Sequence, residues 1–360
     1  MTRLAGFAIL AGTSLLGANT IHAATPASCA SSGGLNYICG LTNPEDLVLI
    51  PGTRLMIASS MTPGGGLHLV DTEKKTAAPF FPAGAKIAHD KAAFPNCPGP
   101  LDASKAAFHG LALRATQGKH YRLYSSQHGT RESIEVFDVD ATGASPTLSW
   151  IGCQPMPDQH PANSVAALGD GTILATVLIM PGKTFADSLA GKNTGAVLQW
   201  KPGSAAFQMI PGTELPANNG IDVSADGREI YVASSGLRQL VVFNRESPAK
   251  VLRRGQIKDF TPDNVHWTAD GKLIAAGMID DEPACGGKPK ADAKGGNSLG
   301  ECPRGSMASI MDPQTMQETV VTRGPATPDY NGAATAVMVG GDVWISSFHA
   351  NRLAYKPLGK

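Results

Sequence analysis

The sequence predicts an all-β chain closed into a six-bladed β-propeller with a central channel, and three observations predict it. Over 360 residues, Gly (41) and Pro (26) are abundant and aromatic residues are few. No stretch keeps a long 3.6-residue apolar period, so short strands and turns should outnumber helices. A hairpin unit then recurs six times: "EDLVLIPGTRLMIAS" from Glu45, "HGLALRATQGKHYRLYSS" from His109, "NSVAALGDGTILATV" from Asn163, "NGIDVSADGREIYVAS" from Asn219, "DNVHWTADGKLIAAG" from Asp263 and a weaker "TAVMVGGDVWISS" from Thr335. Each unit has a polar start, an alternating strand, a Gly- or Asp-Gly-type turn and a second apolar strand ending in small residues, as a short hairpin requires. The interval between starts is roughly that of a four-stranded blade with loop insertions. A β-sandwich would not need the same hairpin six times.

The elements can be taken in chain order. Residues 1–23 carry Arg3, an apolar and small-residue run from Leu4 to Gly17, and small residues suited to cleavage after Ala23, which is the pattern of a secretory signal peptide. The apolar run is shorter than the roughly 20 residues a membrane span requires. The expected mature chain is a single propeller domain over 24–360, secreted or periplasmic, with no stable membrane span. Six cysteines fit three disulfides in an oxidising compartment. Nearest neighbours pair Cys29 with Cys39 and Cys285 with Cys302, leaving Cys97 and Cys153 for each other. No C-x-x-C or paired Cys/His cluster points to zinc.

Composition excludes other partners and chemistries. Lys+Arg 30 against Asp+Glu 30 gives no net charge, and no basic run could track a phosphate backbone, so nucleic acid is not expected. There is no G-x-S-x-G elbow for a serine hydrolase, and the "PGGG" at Pro63 to Gly66 lacks the strand-to-helix context of a phosphate loop.

In a propeller the corresponding strand of every blade runs along the channel from the same end, so the polar starters converge at one mouth. Glu45-Asp46, His109, Asn163, Asn219 and Asp263-Asn264 would ring it. A single Asn or Asp at a strand start is usually a turn former; the same phase in five blades is what makes the ring a site. Carboxylate and amide oxygens without a thiolate suit Ca²⁺ better than zinc or copper. His109 opens the second unit at this phase, and a neutral imidazole there can take a proton from water.

These units resemble those of the paraoxonase/arylesterase family, calcium-dependent six-bladed propellers that hydrolyse lactones and aryl esters. "PEDLVLIP" looks like the family's acidic pair leading into the first channel strand, and "FHGLAL" like its His-Gly motif. "ANSVAALGDG", "NNGIDVSADGREIYVA" and "DNVHWTADGKL" look like its Asn and Asp-Asn segments, and the closing "VVTRGPATPDYNGAATAVMVGGDVWISSFHANRLAYKPL" like its last blade. The resemblance covers nearly all of the chain after about residue 40 and is carried by the order of the motifs. It implies that Glu45, Asn163, Asn219, Asp263 and Asn264 hold a catalytic calcium, that His109 is the general base, and that His128 assists it. It also implies that Asp46 holds a second, structural calcium, but Ser164 stands where the family has that ion's aspartate. Met278 lies where the family often has a pocket histidine, and no cysteine follows Cys302 to tie the two chain ends, so closure must rest on strand pairing. His68, His89, His120, His160, His266 and His349 have no partner at informative spacing and are read as surface or packing residues.

The expected activity is an exported, calcium-dependent hydrolysis of lactones or aryl esters, with a small-molecule substrate. Two other functions fit the same ring: a non-catalytic binding propeller with a structural calcium, and a gluconolactonase-like sugar-lactone hydrolase.

Overall fold

The computed structural model describes residues 29–291 and 302–359. The expected signal peptide and most of the Gly/Lys-rich segment between Cys285 and Cys302 lie outside the described residues. Six sheets stand around a channel, each one a blade. Their innermost strands are Leu47–Leu49, Ala107–Ala115, Val165–Ala167, Asn218–Val223, Phe260–Trp267 and Ala333–Val339, the first strands of the six repeated hairpins. Each inner strand contacts those of the blades on either side, so the ring closes. Alternation makes this possible, since one face of each strand can enter an inter-blade core while residues at the strand start remain free to point along the channel.

Closure rests on strand pairing. Asn36–Cys39 adds antiparallel to Arg352–Pro357 as the outer strand of the sixth blade, with Asn36 opposite Tyr355 and Cys39 opposite Arg352. The early chain thereby completes the last sheet and leaves no open gap between the first and last blades. The three disulfides are Cys29–Cys39, Cys97–Cys153 and Cys285–Cys302, the pairing expected from neighbourhood. Cys29–Cys39 fastens the closing strand.

Two features depart from a plain set of four-stranded blades. The second blade has a fifth strand, Lys86–Ile87, which pairs parallel to Thr147–Pro155. It belongs to the long connection from the first blade, which Cys97–Cys153 pins to the outer edge of the second. A short helix, Phe185–Leu189, interrupts the third blade between Ile173–Val177 and Ala196–Trp200. Its start is fixed by a capping box in which the Thr184 hydroxyl accepts from the Asp187 N–H while the Asp187 carboxylate accepts from the Thr184 N–H. Aromatic packing joins blades one and two, with Phe81 edge-on to Phe108 and Phe137 at 5.6 and 5.2 Å.

Candidate active site at the channel mouth

Two inner strands begin just after their polar residues, as the hairpin pattern implied: Leu47 follows Glu45-Asp46, and Val165 follows Asn163-Ser164. The other four begin earlier, and their polar residues sit at irregularities inside them. The fifth inner strand starts at Phe260, and its register shifts between Pro262 and Val265, with Asp263 and Asn264 in the shift. The same slip falls between Phe108 and Leu111 around His109, between Asn218 and Ile221 around Asn219, and between Ala333 and Ala336. A bulge re-aims the side chains it contains. Here it turns residues that would face a neighbouring blade into the channel instead. Two glycines make the approach possible. A Cβ on Gly110 would stand 2.5 Å from the Ser164 Cα, and one on Gly220 2.6 Å from the Asn264 Cα. His109-Gly110 and Asn219-Gly220 thus each pair a ring residue with the space its neighbour needs.

The structure brings Glu45, His109, Asn163, Asn219, Asp263 and Asn264 together at one mouth. Asn264 Nδ2 donates to Glu45 Oε1 at 2.6 Å, and His109 Nε2 lies 3.4 Å from the same oxygen. Asn219 Nδ2 donates to Ser235 Oγ at 3.0 Å, which donates in turn to the Pro262 carbonyl at 2.6 Å. Ser126 Oγ holds the Asn163 carbonyl at 2.9 Å. With the amide N–H groups and backbones so engaged, Glu45 Oε2 and the Oδ1 atoms of Asn163, Asn219 and Asn264 are buried with no hydrogen-bond partner. Four orphaned oxygens in one ring are a cost that a cation would remove. Burial pushes the Glu45 carboxyl well above the ordinary carboxylate range, and the Asp46 charge adds to this. Burial also raises Asp263 well above that range, with Glu45 the next cause. Two carboxylates, Glu45 buried and Asp263 half-buried, that repel each other and face unpartnered amide oxygens form a hard-oxygen donor set. Among the described residues no three His, Cys, Asp or Glu side chains converge as a metal cluster; amides complete this one.

The inner position differs. Asp46 Oδ2 accepts from the Leu111 N–H at 2.7 Å, while Oδ1 accepts from the Leu47 N–H and Thr335 Oγ1, both at 2.7 Å. His266 Nε2 stands 2.7 Å from Oδ1, and its Nδ1 is 3.8 Å from Asp222 Oδ2. His266 is therefore neither a surface nor a packing residue. It lies two positions after Asn264, the spacing that returns a strand side chain to the same face; that period was the signal in the sequence. Burial alone would lower its pKa, but Asp46 and Asp222 bring it up to about 10. Burial would raise Asp46, but the His266 charge together with the hydrogen bonds from His266, Leu111 and Thr335 holds it below its ordinary value. An imidazolium thus neutralises Asp46 where the family resemblance implied an ion, and with Ser164 alongside, the residues do not fit a second calcium. Metal analysis of the folded protein is expected to give one ion per chain; two would mean that His266 gives way.

His109 continues outward. Its Nδ1 is 3.2 Å from His128 Nε2, and His128 Nδ1 is 2.6 Å from Glu132 Oε2. Burial lowers the His109 pKa, which favours the neutral ring. Glu132 was not marked by the sequence pattern; it lies four residues past His128, in the loop between two strands. Above the ring opens a cavity of about 330 Å³. Its walls include Met61, Leu178, Phe185, Leu189, Met278 and Phe348, with His109, Asn163, Asn219 and Asp263 at its floor. The Phe185–Leu189 helix supplies one wall.

No family model and no curated protein of similar sequence matches this chain. Solved structures of similar fold include a luciferin-regenerating enzyme, 13% identical with a TM-score of 0.50 over 89% of this chain and 92% of the other. A protein provisionally named a gluconolactonase is 13% identical with a TM-score of 0.51, over 89% of this chain and 92% of its own. The calcium-binding protein regucalcin of Agrobacterium tumefaciens is 9% identical with a TM-score of 0.50, over 89% and 91%. At these identities the likeness is one of fold: the propeller of the gluconolactonase and regucalcin kind is shared, and the site must be argued from its own residues.

Proposed function

We propose that the chain is an exported, calcium-dependent hydrolase of apolar lactones and aryl esters. The observation that carries the reading is the set of four orphaned oxygens on Glu45, Asn163, Asn219 and Asn264, beside the Asp263 carboxylate and at an apolar cavity. Calcium, when bound, supplies a Lewis acid that polarises the ester carbonyl. Glu45, Asp263 and the three asparagines would hold it; the two carboxylates balance its charge and the amides fill its sphere without adding more, so it is not over-neutralised as a Lewis acid.

His109 takes the proton from a water as that water attacks the carbonyl carbon. The acyl C–O bond then breaks, and the leaving oxygen takes that proton back from the His109 imidazolium, departing as the alcohol or phenol of an ester or becoming the free hydroxyl of an opened lactone. The ring is neutral at working pH because burial depresses its pKa, and so can accept. The cavity walls exclude water and bind the alkyl or aryl part of the substrate. They also favour this class over polyhydroxylated sugar lactones, whose hydroxyls would lie against Met61, Leu178, Phe185 and Phe348 unpaired. Three disulfides support an oxidising compartment and hence export. No helix among the described residues is long and apolar enough to cross a membrane.

A screen of alkyl-substituted lactones, sugar lactones and aryl esters, run with calcium and with EGTA, tests the reading. Hydrolysis of the apolar members that EGTA abolishes and calcium restores is expected. Activity that survives EGTA, or that is confined to sugar lactones, would overturn it.

A further inference from the structure

We infer that Glu132 is a positioning residue that sets the direction of the hydrogen bond between His109 and His128 and so leaves the base nitrogen of His109 bare. The inference rests on the proposed hydrolysis for its catalytic consequence and on geometry for the rest. The two imidazoles form a dyad with a carboxylate at each end. Glu132 Oε2 is 2.6 Å from His128 Nδ1, His128 Nε2 is 3.2 Å from His109 Nδ1, and His109 Nε2 is 3.4 Å from Glu45 Oε1.

Two neutral rings in this chain have only two self-consistent proton arrangements, because each carries one N–H and one bare nitrogen. In the first, His128 donates Nδ1–H to Glu132 and accepts His109 Nδ1–H on its Nε2, so His109 Nε2 is bare toward the channel. In the second, every bond reverses: His109 donates Nε2–H toward Glu45, accepts from His128 Nε2–H, and His128 Nδ1 faces Glu132 bare. Only the first leaves His109 able to take a proton from water at the mouth. The second makes it a donor there.

Geometry selects the first. The 2.6 Å contact to Glu132 is a short, charge-assisted hydrogen bond, whereas 3.4 Å to Glu45 is long, and Glu45 Oε1 already accepts from Asn264. Glu132 is also held in place. Its carbonyl accepts the Met156 N–H at 2.9 Å. Its neighbour Arg131 is clamped by two nitrogens on the buried Glu135, at 2.8 and 3.0 Å, and by Nη1 on the Gly99 carbonyl at 2.9 Å. Gly129 at the start of the loop has φ of +97°, and a Cβ there would lie 2.1 Å from the Lys105 carbonyl oxygen, so the turn is fixed by close approach. An exposed His–Glu pair would ordinarily contribute little to stability. This one sits on a rigid loop and terminates a chain whose side-chain exposure falls from 35% at Glu132 through 23% at His128 to 11% at His109. Its effect is on the tautomer rather than on the fold.

The full-length, calcium-loaded protein is compared with Glu132→Ala and Glu132→Gln, using phenyl acetate and an alkyl δ-lactone as substrates. In Glu132→Ala the Glu45 end should win and His109 Nε2 should acquire the proton. The expected loss in kcat is about 10- to 100-fold, as for groups that orient a working histidine, with KM and calcium affinity unchanged. In Glu132→Gln the side-chain carbonyl still accepts Nδ1–H, and most of kcat should return. ¹⁵N spectra of the histidine rings give a second readout: His128 is expected as the Nδ1–H tautomer in the wild type and in Glu132→Gln, and as Nε2–H in Glu132→Ala. Unchanged kcat in Glu132→Ala, or a His128 tautomer that is the same in all three proteins, would overturn the inference. If the wild type hydrolyses neither substrate, the proposed function fails, and the ring tautomers alone decide for or against Glu132.

Discussion

Asp263→Asn is expected to reverse sign with calcium: without the ion it should melt above the wild type, and with the ion well below it. In the calcium-free chain the buried Glu45 and half-buried Asp263 are carboxyls held well above their ordinary range, by desolvation first, with the Asp46 charge next for Glu45 and the Glu45 charge next for Asp263. A folded-state pKa above the unfolded value means the folded state binds more protons, so stability falls as pH rises from the unfolded values near ~4 toward the raised folded ones. At neutral pH the wild type therefore carries a destabilising pair that the isosteric amide removes. Calcium converts the pair from a cost into a gain, since a ligand bound only by the folded state contributes about 4 kcal/mol at a thousandfold excess over its Kd. The amide supplies one oxygen and no charge, and that gain should largely disappear. Melting curves of both proteins in EGTA and in calcium, at pH 5 and pH 8, read the crossing. An Asp263→Asn protein that gains as much from calcium as the wild type would remove Asp263 from the ligand set, and one that melts lower in EGTA would remove the repulsion.

This ring was legible in the sequence because a propeller imposes one phase on six hairpins. Once the units from Glu45, His109, Asn163, Asn219 and Asp263 were aligned, their polar starts had to meet, and the structure brings them to one mouth. The bulges that aim His109, Asn219, Asp263 and Asn264 were not legible. An alternating pattern such as "DNVHW" shows a strand but not that its pairing slips between Pro262 and Val265. His266 was misread for a different reason: its partner Asp46 lies 220 residues away and across the channel, and spacing along the chain carries no trace of such a contact. The period of two from Asn264 would have placed it on the channel face. Glu132 depends on a loop whose shape comes from Gly129 and the Arg131–Glu135 clamp, so its aim is a property of the folded turn. The fifth strand of the second blade and the short helix over the mouth both belong to insertions, where no repeat constrained the reading.

His109→Gln should separate hydrolysis from ion binding more sharply than any ligand substitution. The glutamine side chain can keep a hydrogen bond to His128 but has no basic nitrogen, so the ring of oxygens stays as it is while the proton acceptor is lost. Removal of a general base costs roughly 10²- to 10⁴-fold in rate. The expected protein is folded, shows the wild-type rise in melting temperature with calcium, and has kcat lowered by about that factor with KM little changed. The contrast with Asp263→Asn matters, because that variant should lose activity and calcium response together. Kinetics on the best apolar lactone and the best aryl ester, beside melting curves with and without calcium, make the comparison. Full activity of His109→Gln on every substrate would place the base elsewhere and leave His128 and Glu132 as structural neighbours. A wild type that responds to calcium yet hydrolyses nothing would make the channel mouth a binding site, with the apolar cavity above Asn163, Asn219 and Asp263 receiving a ligand that is held and not cleaved.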